Sequence, residues 1–159
     1  MLTFEQMLVR FVVALVLGAI LGIERELVGK EEAGVRTEML VSAGAAIFAM
    51  VALALPYLIA TSPENLNNII AGGGFLGAIA GVTTGIGFLG AGIIIKIDSH
   101  PHGVTTAALV WATAAIGVLV GIGLIEFASV VAVLLAIILY ALRRIDIASQ
   151  RAAKEQGEA

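Results

Sequence analysis

Three side chains that could do chemistry lie within five residues of one another in this 159-residue chain. Asp98, His100 and His102 form an Asp-x-His-x-His pattern, and alternate residues of an extended segment point the same way. Because carboxylates and imidazoles bind divalent metals, the pattern is a candidate metal site, with Mg²⁺ as the ion to consider. The alternative is that Pro101 simply shapes a turn. We expect no other cofactor.

Arg10 and Glu126 form a second candidate pair, far apart in the sequence. Arg10 lies inside one apolar run, and Glu126 begins another. An ionised side chain inside a membrane is costly unless it has a partner, so the two residues are predicted to form an ion pair. The alternative is that Arg10 extends alone toward the aqueous interface.

Catalysis has little support in this sequence. The two histidines share one loop, no nucleophile is paired with a base, and no phosphate loop ending in Gly-Lys-Ser/Thr is found. The spacing Gly85-x-Gly87-x-x-Gly90 matches a dinucleotide fingerprint, but it lies in an apolar run and not between a strand and a soluble helix. The absence of cysteine excludes disulfides and thiolate ligands. We therefore predict that the protein is not an enzyme.

The composition indicates what kind of element must hold these residues. The chain is 60% hydrophobic and 13% charged, with a mean hydropathy of +1.06, whereas soluble domains are about 45–50% apolar and about 25% charged. The net charge of −3 argues against a nucleic-acid partner. The sequence thus predicts an all-α, polytopic helix bundle embedded in a lipid bilayer.

Five apolar runs approach the roughly 20 residues that a membrane-spanning helix needs. They cover residues 7–23, 39–59, 69–95, 104–120 and 127–142. This gives a transmembrane domain over 1–142 and a charged cytoplasmic tail over 143–159. Thr3 and Gln6 predict a capping box at the start of the first helix, and we expect a polar turn over 60–68 and a polar loop over 96–103.

The third run, with 27 residues, is long for a single span. It would form roughly 40 Å of helix, against a hydrocarbon core of about 30 Å. Either the helix tilts, or the run Gly72-Gly73-Gly74 breaks it. We favour one span with an irregular outer extension.

The basic residues predict the orientation. Three Lys or Arg residues follow span one, one follows span three and four follow span five, which places eight of nine on one side. Cytoplasmic loops carry this excess, so the N-terminus is predicted outside and the C-terminus in the cytoplasm.

Four segments carry a family resemblance. They are Gly-Ile-Glu-Arg-Glu at 22–26, Gly-Val-Arg-Thr-Glu-Met-Leu at 34–40, Gly-Ile-Gly-Phe-Leu-Gly-Ala-Gly at 85–92, and Gly-Val-Thr-Thr-Ala-Ala at 103–108 followed by Trp-Ala-Thr-Ala-Ala-Ile-Gly at 111–117. In this order they closely resemble the MgtC/SapB family of small inner-membrane proteins, over roughly residues 4–142. The resemblance implies a five-span membrane domain in the cytoplasmic (inner) membrane of a prokaryote and a link to growth under magnesium limitation. It also implies two candidate activities, regulation of the F-type ATP synthase and ion handling.

Three features depart from the family pattern. Longer members carry a soluble C-terminal domain, so this chain is expected to be a short form. The stretch before Gly85 is longer than the pattern, and Glu38 stands where His or Asn is expected. The last difference changes the chemistry of a polar position.

The predicted topology brings the four segments to the cytoplasmic half of the bundle. There we expect a polar pocket against a glycine-lined helix. The pocket comprises Glu24, Arg25, Arg36, Thr37, Glu38, Thr105 and Thr106, and the helix presents Gly85, Gly87, Gly90 and Gly92. An alternative for the arginines is ordinary interfacial placement.

Glycines recur every four residues at 73, 77, 81 and 85, and also at 18/22 and 117/121. Such ridges let helix backbones approach closely, within a chain or in a homo-oligomer. We expect a regulatory membrane protein that acts through helix contacts with itself or with a larger membrane complex. The alternative is a transporter or channel for Mg²⁺ or another ion, acting as an oligomer.

Overall fold

The computed structural model describes residues 2–27, 33–97 and 100–157, with side chains to residue 145. The elements are α1 (Phe4–Leu27), α2 (Val35–Ile59), α3 (Pro63–Ala71), α4 (Gly74–Ile93), β1 (Ile95–Ile97), β2 (His100–His102), α5 (Val104–Ile122) and α6 (Ile125–Gly157). Within this part of the chain, five helical segments are long and apolar enough to cross a membrane, with α3 and α4 together forming the third. The predicted all-α bundle of five spans is confirmed.

The first helix begins as its sequence predicts. The Thr3 amide donates to Gln6 Oε1 at 3.1 Å, and the Gln6 amide donates to Thr3 Oγ1 at 3.3 Å. This reciprocal capping box satisfies two amides that have no partner inside the helix.

The region expected to be a polar turn is instead the short helix α3. Ser62 caps it by accepting from the Asn65 amide at 3.1 Å, and Pro63 occupies the first turn, where a missing amide hydrogen costs nothing. The helix ends at Ala71, and Gly73 adopts a left-handed φ of 72° before α4 begins. The glycine run therefore breaks the third span, and the outer extension is helical.

The loop over 96–103 also contains regular structure. Strands β1 and β2 pair antiparallel, with Ile95 opposite His102 and Ile97 opposite His100. The two β-branched isoleucines favour an extended backbone. Gly103 then adopts a φ of 80°, a conformation that other residues rarely take, and turns the chain into α5.

The core lies where α1, α2, α5 and α6 meet. Its fully or nearly fully buried members are Ala14, Leu17, Leu21, Ala46, Met50, Leu109, Ile116, Val120, Ala128 and Ala132. Helix α4 contributes none of them and has Gly90 as its one buried residue. It packs on the outside of α5 and α2.

Glycines let α2 approach its two neighbours at backbone distance. A Cβ at Gly22 of α1 would lie 2.5 Å from the Val35 Cα, and a Cβ at Gly121 of α5 would lie 2.6 Å from the Ala46 carbonyl oxygen. Gly18 and Gly117 face the Glu38 and Ser42 carbonyls even more closely. Helix α2 is thus held between α1 and α5 by contacts that no larger residue permits.

One end of the bundle collects the end of α1, the start of α2, the end of α4 and the start of α5. We call it the basic end. Arg143 of α6 reaches the same end, because its Nη2 donates to the Leu27 carbonyl at 2.8 Å. The four signature segments therefore lie at, or run toward, one end of the molecule.

The close approach at Gly117 makes a direct prediction. Gly117→Ala should destabilise the protein by about 2 kcal/mol, because the added methyl collides with the α2 backbone. Gly77→Ala is the matched control, since nothing lies within 4 Å of its added Cβ. Thermal unfolding in detergent, followed by circular dichroism, checks both. Equal melting temperatures for the two variants would contradict the packing described here.

Candidate functional site

A group of polar side chains is buried between α1, α2 and α5 near the basic end. We call it the buried polar cluster; it comprises Glu24, Arg25, Glu38, Ser42 and Thr113. Each of these residues is at most 6% exposed, and Glu38, Ser42 and Thr113 are fully buried. Charged residues are rarely buried to this extent unless they are paired.

Glu24 and Arg25 neutralise one another. Arg25 Nε donates to Glu24 Oε2 at 2.6 Å, and both side chains are almost completely buried. A charge-assisted hydrogen bond in an apolar interior offsets part of the cost of removing both ions from water. The other carboxylate oxygen of Glu24, Oε1, has no hydrogen-bond partner within 2–27, 33–97 and the rest of the described chain.

Glu38 forms no such ion pair with any side chain that the structure describes. It lies in the first turn of α2, where Arg25 from α1 and Thr113 from α5 are close enough to interact with its carboxyl group. Neither of its oxygens has a hydrogen-bond partner among the residues that the structure describes, however. With both carboxyls ionised, the cluster carries a formal charge of −1.

Ser42 and Thr113 complete the cluster, and the sequence analysis missed both. Ser42 is one helical turn after Glu38, so the two side chains share a face of α2. Thr113 lies one turn before Gly117, the α5 residue that touches the Ser42 carbonyl. Two sequence signals could have identified them: Ser42 lies four residues after Glu38, and Thr113 lies seven residues after Thr106.

The structure brings together only part of the predicted pocket. Glu24, Arg25, Glu38 and Thr106 are buried, whereas Arg36 and Thr105 are exposed and Thr37 is half-buried. Arg36 precedes Glu38 by two residues, which is about 200° around the helix, so both cannot face the interior.

The predicted glycine-lined helix lies away from the cluster. Gly85, Gly87 and Gly92 of α4 meet open space, and Gly90 contacts Ala107 of α5. The glycines that pack beside the cluster belong to α1 and α5 instead. On its other side α4 borders an apolar groove of about 540 Å³ against α2, lined by Leu40, Val41, Gly44, Ala45, Phe48, Ala78, Gly81, Val82, Gly85 and Ile86.

Arg10 has a different partner from the one predicted. Its Nη1 donates to the Gly121 carbonyl at 2.7 Å, and the guanidinium lies over Gly123, where φ is 100°. The last carbonyls of a helix lack partners and carry partial negative charge, so the arginine caps α5. Glu126 is exposed and forms no ion pair with it among the described side chains.

Only part of the candidate metal site lies within the described residues. His100 and His102 are exposed on β2 with Pro101 between them, and Asp98 lies outside the described residues. Within the described part of the chain, no three His, Cys, Asp or Glu residues are grouped so that they could hold a metal.

A bundle of five apolar spans with a polar cluster enclosed at one end defines a multi-pass membrane protein. The MgtC family model matches residues 11–147. The chain therefore belongs to the MgtC family, which the four sequence segments had indicated.

Curated relatives agree with this assignment. The chain is 38% identical over 123 residues to protein MgtC of Salmonella typhimurium, covering 77% of this chain and 46% of the relative. It is 37% identical over 123 residues to protein SrpB of Synechococcus elongatus, with 72% and 63% covered, and 38% identical over 121 residues to MgtC of Brucella abortus, with 76% and 44% covered. The chain thus spans less than two thirds of each of these relatives. No solved structure gives a significant match.

The contacts of Arg10 give a second prediction. Arg10→Met should lower the free energy of unfolding by about 1–2 kcal/mol, because it removes a charged hydrogen bond from the end of α5. Glu126→Gln should leave stability unchanged. Thermal unfolding of both variants in the same detergent checks this. If Glu126→Gln lost as much folded protein as Arg10→Met, the result would contradict this contact and support the predicted Arg10–Glu126 ion pair.

Proposed function

We propose that the protein is a regulatory protein of a prokaryotic inner membrane, linked to magnesium limitation, which acts through helix contacts. Membership of the MgtC family supports the link to magnesium. The contacts join α4 to a second copy of the chain or to a larger membrane complex. An F-type ATP synthase is one such complex.

The uncovered face of α4 is the observation that carries this proposal. Gly77, Gly81 and Gly85 follow one another along a face of the helix, and nothing lies within 4 Å of a Cβ built on any of them. The glycine pairs of α1 and α5, by contrast, are used within the chain. Small residues in membrane helices allow close backbone contact. Gly81 and Gly85 border the open groove between α4 and α2, and no described residue fills the space beside them.

Ion transport is the second candidate function. It is favoured by the two buried carboxyl groups of Glu24 and Glu38, since ionisable residues inside membrane bundles are typical of ion pathways. Against it, both groups lie at the basic end, Glu24 in the last turn of α1 and Glu38 in the first turn of α2. A regulatory role requires no path through the bundle.

We further propose that the basic end faces the cytoplasm. Glu64 on α3 and Lys96 on β1 are both exposed and lie at opposite ends of the bundle. Because the chain has no cysteine, Glu64→Cys and Lys96→Cys each supply one labelling site. In intact cells a membrane-impermeant maleimide should modify only the former. Lys96→Cys should react after permeabilisation, and its reaction in intact cells would reverse the orientation.

Cysteine crosslinking tests the contact surface on α4. Gly81→Cys should form disulfide-linked dimers in native membranes under mild oxidation, because the glycine face of one copy meets that of another. Val130→Cys on α6, where the native residue is 57% exposed, is the control for random collision. Equal crosslinking of the two variants, or none with Gly81→Cys, would contradict self-contact through α4.

Substitutions at Gly81 and Val130, together with a flux assay, distinguish the regulatory function from ion transport. Gly81→Leu should abolish support of growth at low magnesium, whereas Val130→Leu should retain it. Purified protein in proteoliposomes should move no Mg²⁺ above empty vesicles. Clear Mg²⁺ flux from the protein alone would replace the regulatory proposal with transport.

A further inference from the structure

The buried polar cluster contains more polar atoms than hydrogen bonds. Glu24 Oε1, both oxygens of Glu38, Ser42 Oγ and Thr113 Oγ1 are all shielded from water and have no hydrogen-bond partner among the described residues. Most buried polar groups in folded proteins are hydrogen-bonded, so several unpartnered atoms in one place require an explanation. Glu38 is central, since Ser42 shares its helix face and Thr113 faces it from α5.

The charge of the cluster indicates what is bound. Arg25 is ion-paired with Glu24 at 2.6 Å and also lies close to Glu38, so two buried carboxyl groups share one cation. A charge enclosed in an apolar interior is strongly unfavourable, and the group then either binds a cation or becomes neutral. Within the described chain, α4 and α5, which also pack on α2, supply no counter-charge, because α4 has no ionisable residue between 74 and 93 and α5 has none between 104 and 122. The cluster therefore lacks one positive charge.

The tight packing around the cluster leaves room only for a small cation. Glu38, Ser42 and Thr113 are 0% exposed, and Gly18, Gly22 and Gly117 hold α2 at backbone contact on both sides. Mg²⁺ requires near-octahedral oxygen coordination and retains several waters. The free groups here are one carboxyl, one oxygen of Glu24 and two hydroxyls. A proton needs no cavity and no further ligand.

We propose that the Glu38 carboxyl is a proton-binding site inside the bundle, with Ser42 and Thr113 as its hydrogen-bond partners. In the protonated state a proton from bulk water is bonded to one Glu38 oxygen, and this O–H donates to the Thr113 hydroxyl. In the ionised state the proton returns to water, and both hydroxyls donate to the carboxylate. This inference does not depend on the proposed regulatory function.

Infrared spectroscopy of the full chain in lipid tests the proposal. At neutral pH, where exposed carboxyls are ionised, the wild type should show the C=O stretching band of one protonated carboxyl per chain, shifted by transfer to D₂O. Glu38→Gln should lack this band. Glu126→Gln, which alters an exposed glutamate at the opposite end, should retain it. Absence of the band in the wild type, or its persistence in Glu38→Gln, would overturn the proposal.

A second variant assigns the band without removing the carboxyl. Thr113→Val preserves shape and deletes only a hydroxyl, so the band should move to higher frequency as a hydrogen bond is lost. An unchanged band would exclude Thr113 as a partner and overturn the site as proposed. Measurements in choline chloride and then in NaCl or MgCl₂ identify the ion. Loss of the band on addition of either metal would assign the site to that metal instead of a proton.

Discussion

The position of α2 between α1 and α5 is the constraint on which the rest of the structure depends. Gly18 and Gly22 on one side and Gly117 and Gly121 on the other place backbone against backbone. At that separation the α2 side chains on these two faces cannot extend past the neighbouring helices to the surface of the bundle. Glu38 and Ser42 are therefore enclosed because of where the helix lies, and not because hydrogen bonds attract them inward.

Glycines with the same spacing have two different uses in this molecule. The 18/22 and 117/121 pairs are occupied by α2, whereas Gly77, Gly81 and Gly85 on α4 meet open space. A membrane helix gains little from apolar burial against another helix, because lipid is as apolar as leucine, so close packing supplies much of the association energy. The bundle of α1, α2 and α5 already has this packing. At Gly77, Gly81 and Gly85 helix α4 has no such packing within the described chain, so we expect the contacts of these glycines to come from outside the chain.

The sequence was sufficient for features that depend on local physics. Span length, the Thr3–Gln6 capping box and the common end of the signature segments all follow from composition and short spacing. The α3 helix also had a local signal in Ser62 and Pro63, which the polarity of the segment obscured. Features that depend on helix rotation were beyond the sequence. Arg36 and Glu38 share one motif but face opposite ways, and Arg10 caps a helix whose end only the fold brings near.

Helix α2 is the one element that borders both the buried polar cluster and the apolar groove against α4. Glu38 and Ser42 face one side, while Leu40, Val41 and Gly44 line the other, all within two turns. Binding of an ion shifts a conformational equilibrium only as far as its affinity differs between the two states. A proton on Glu38 would satisfy that requirement for any movement of α2 that hydrates the carboxyl, because the ionised form gains far more from water than the neutral acid does. Movement of α2 against α4 would then alter the groove and the glycine face together, through packing alone.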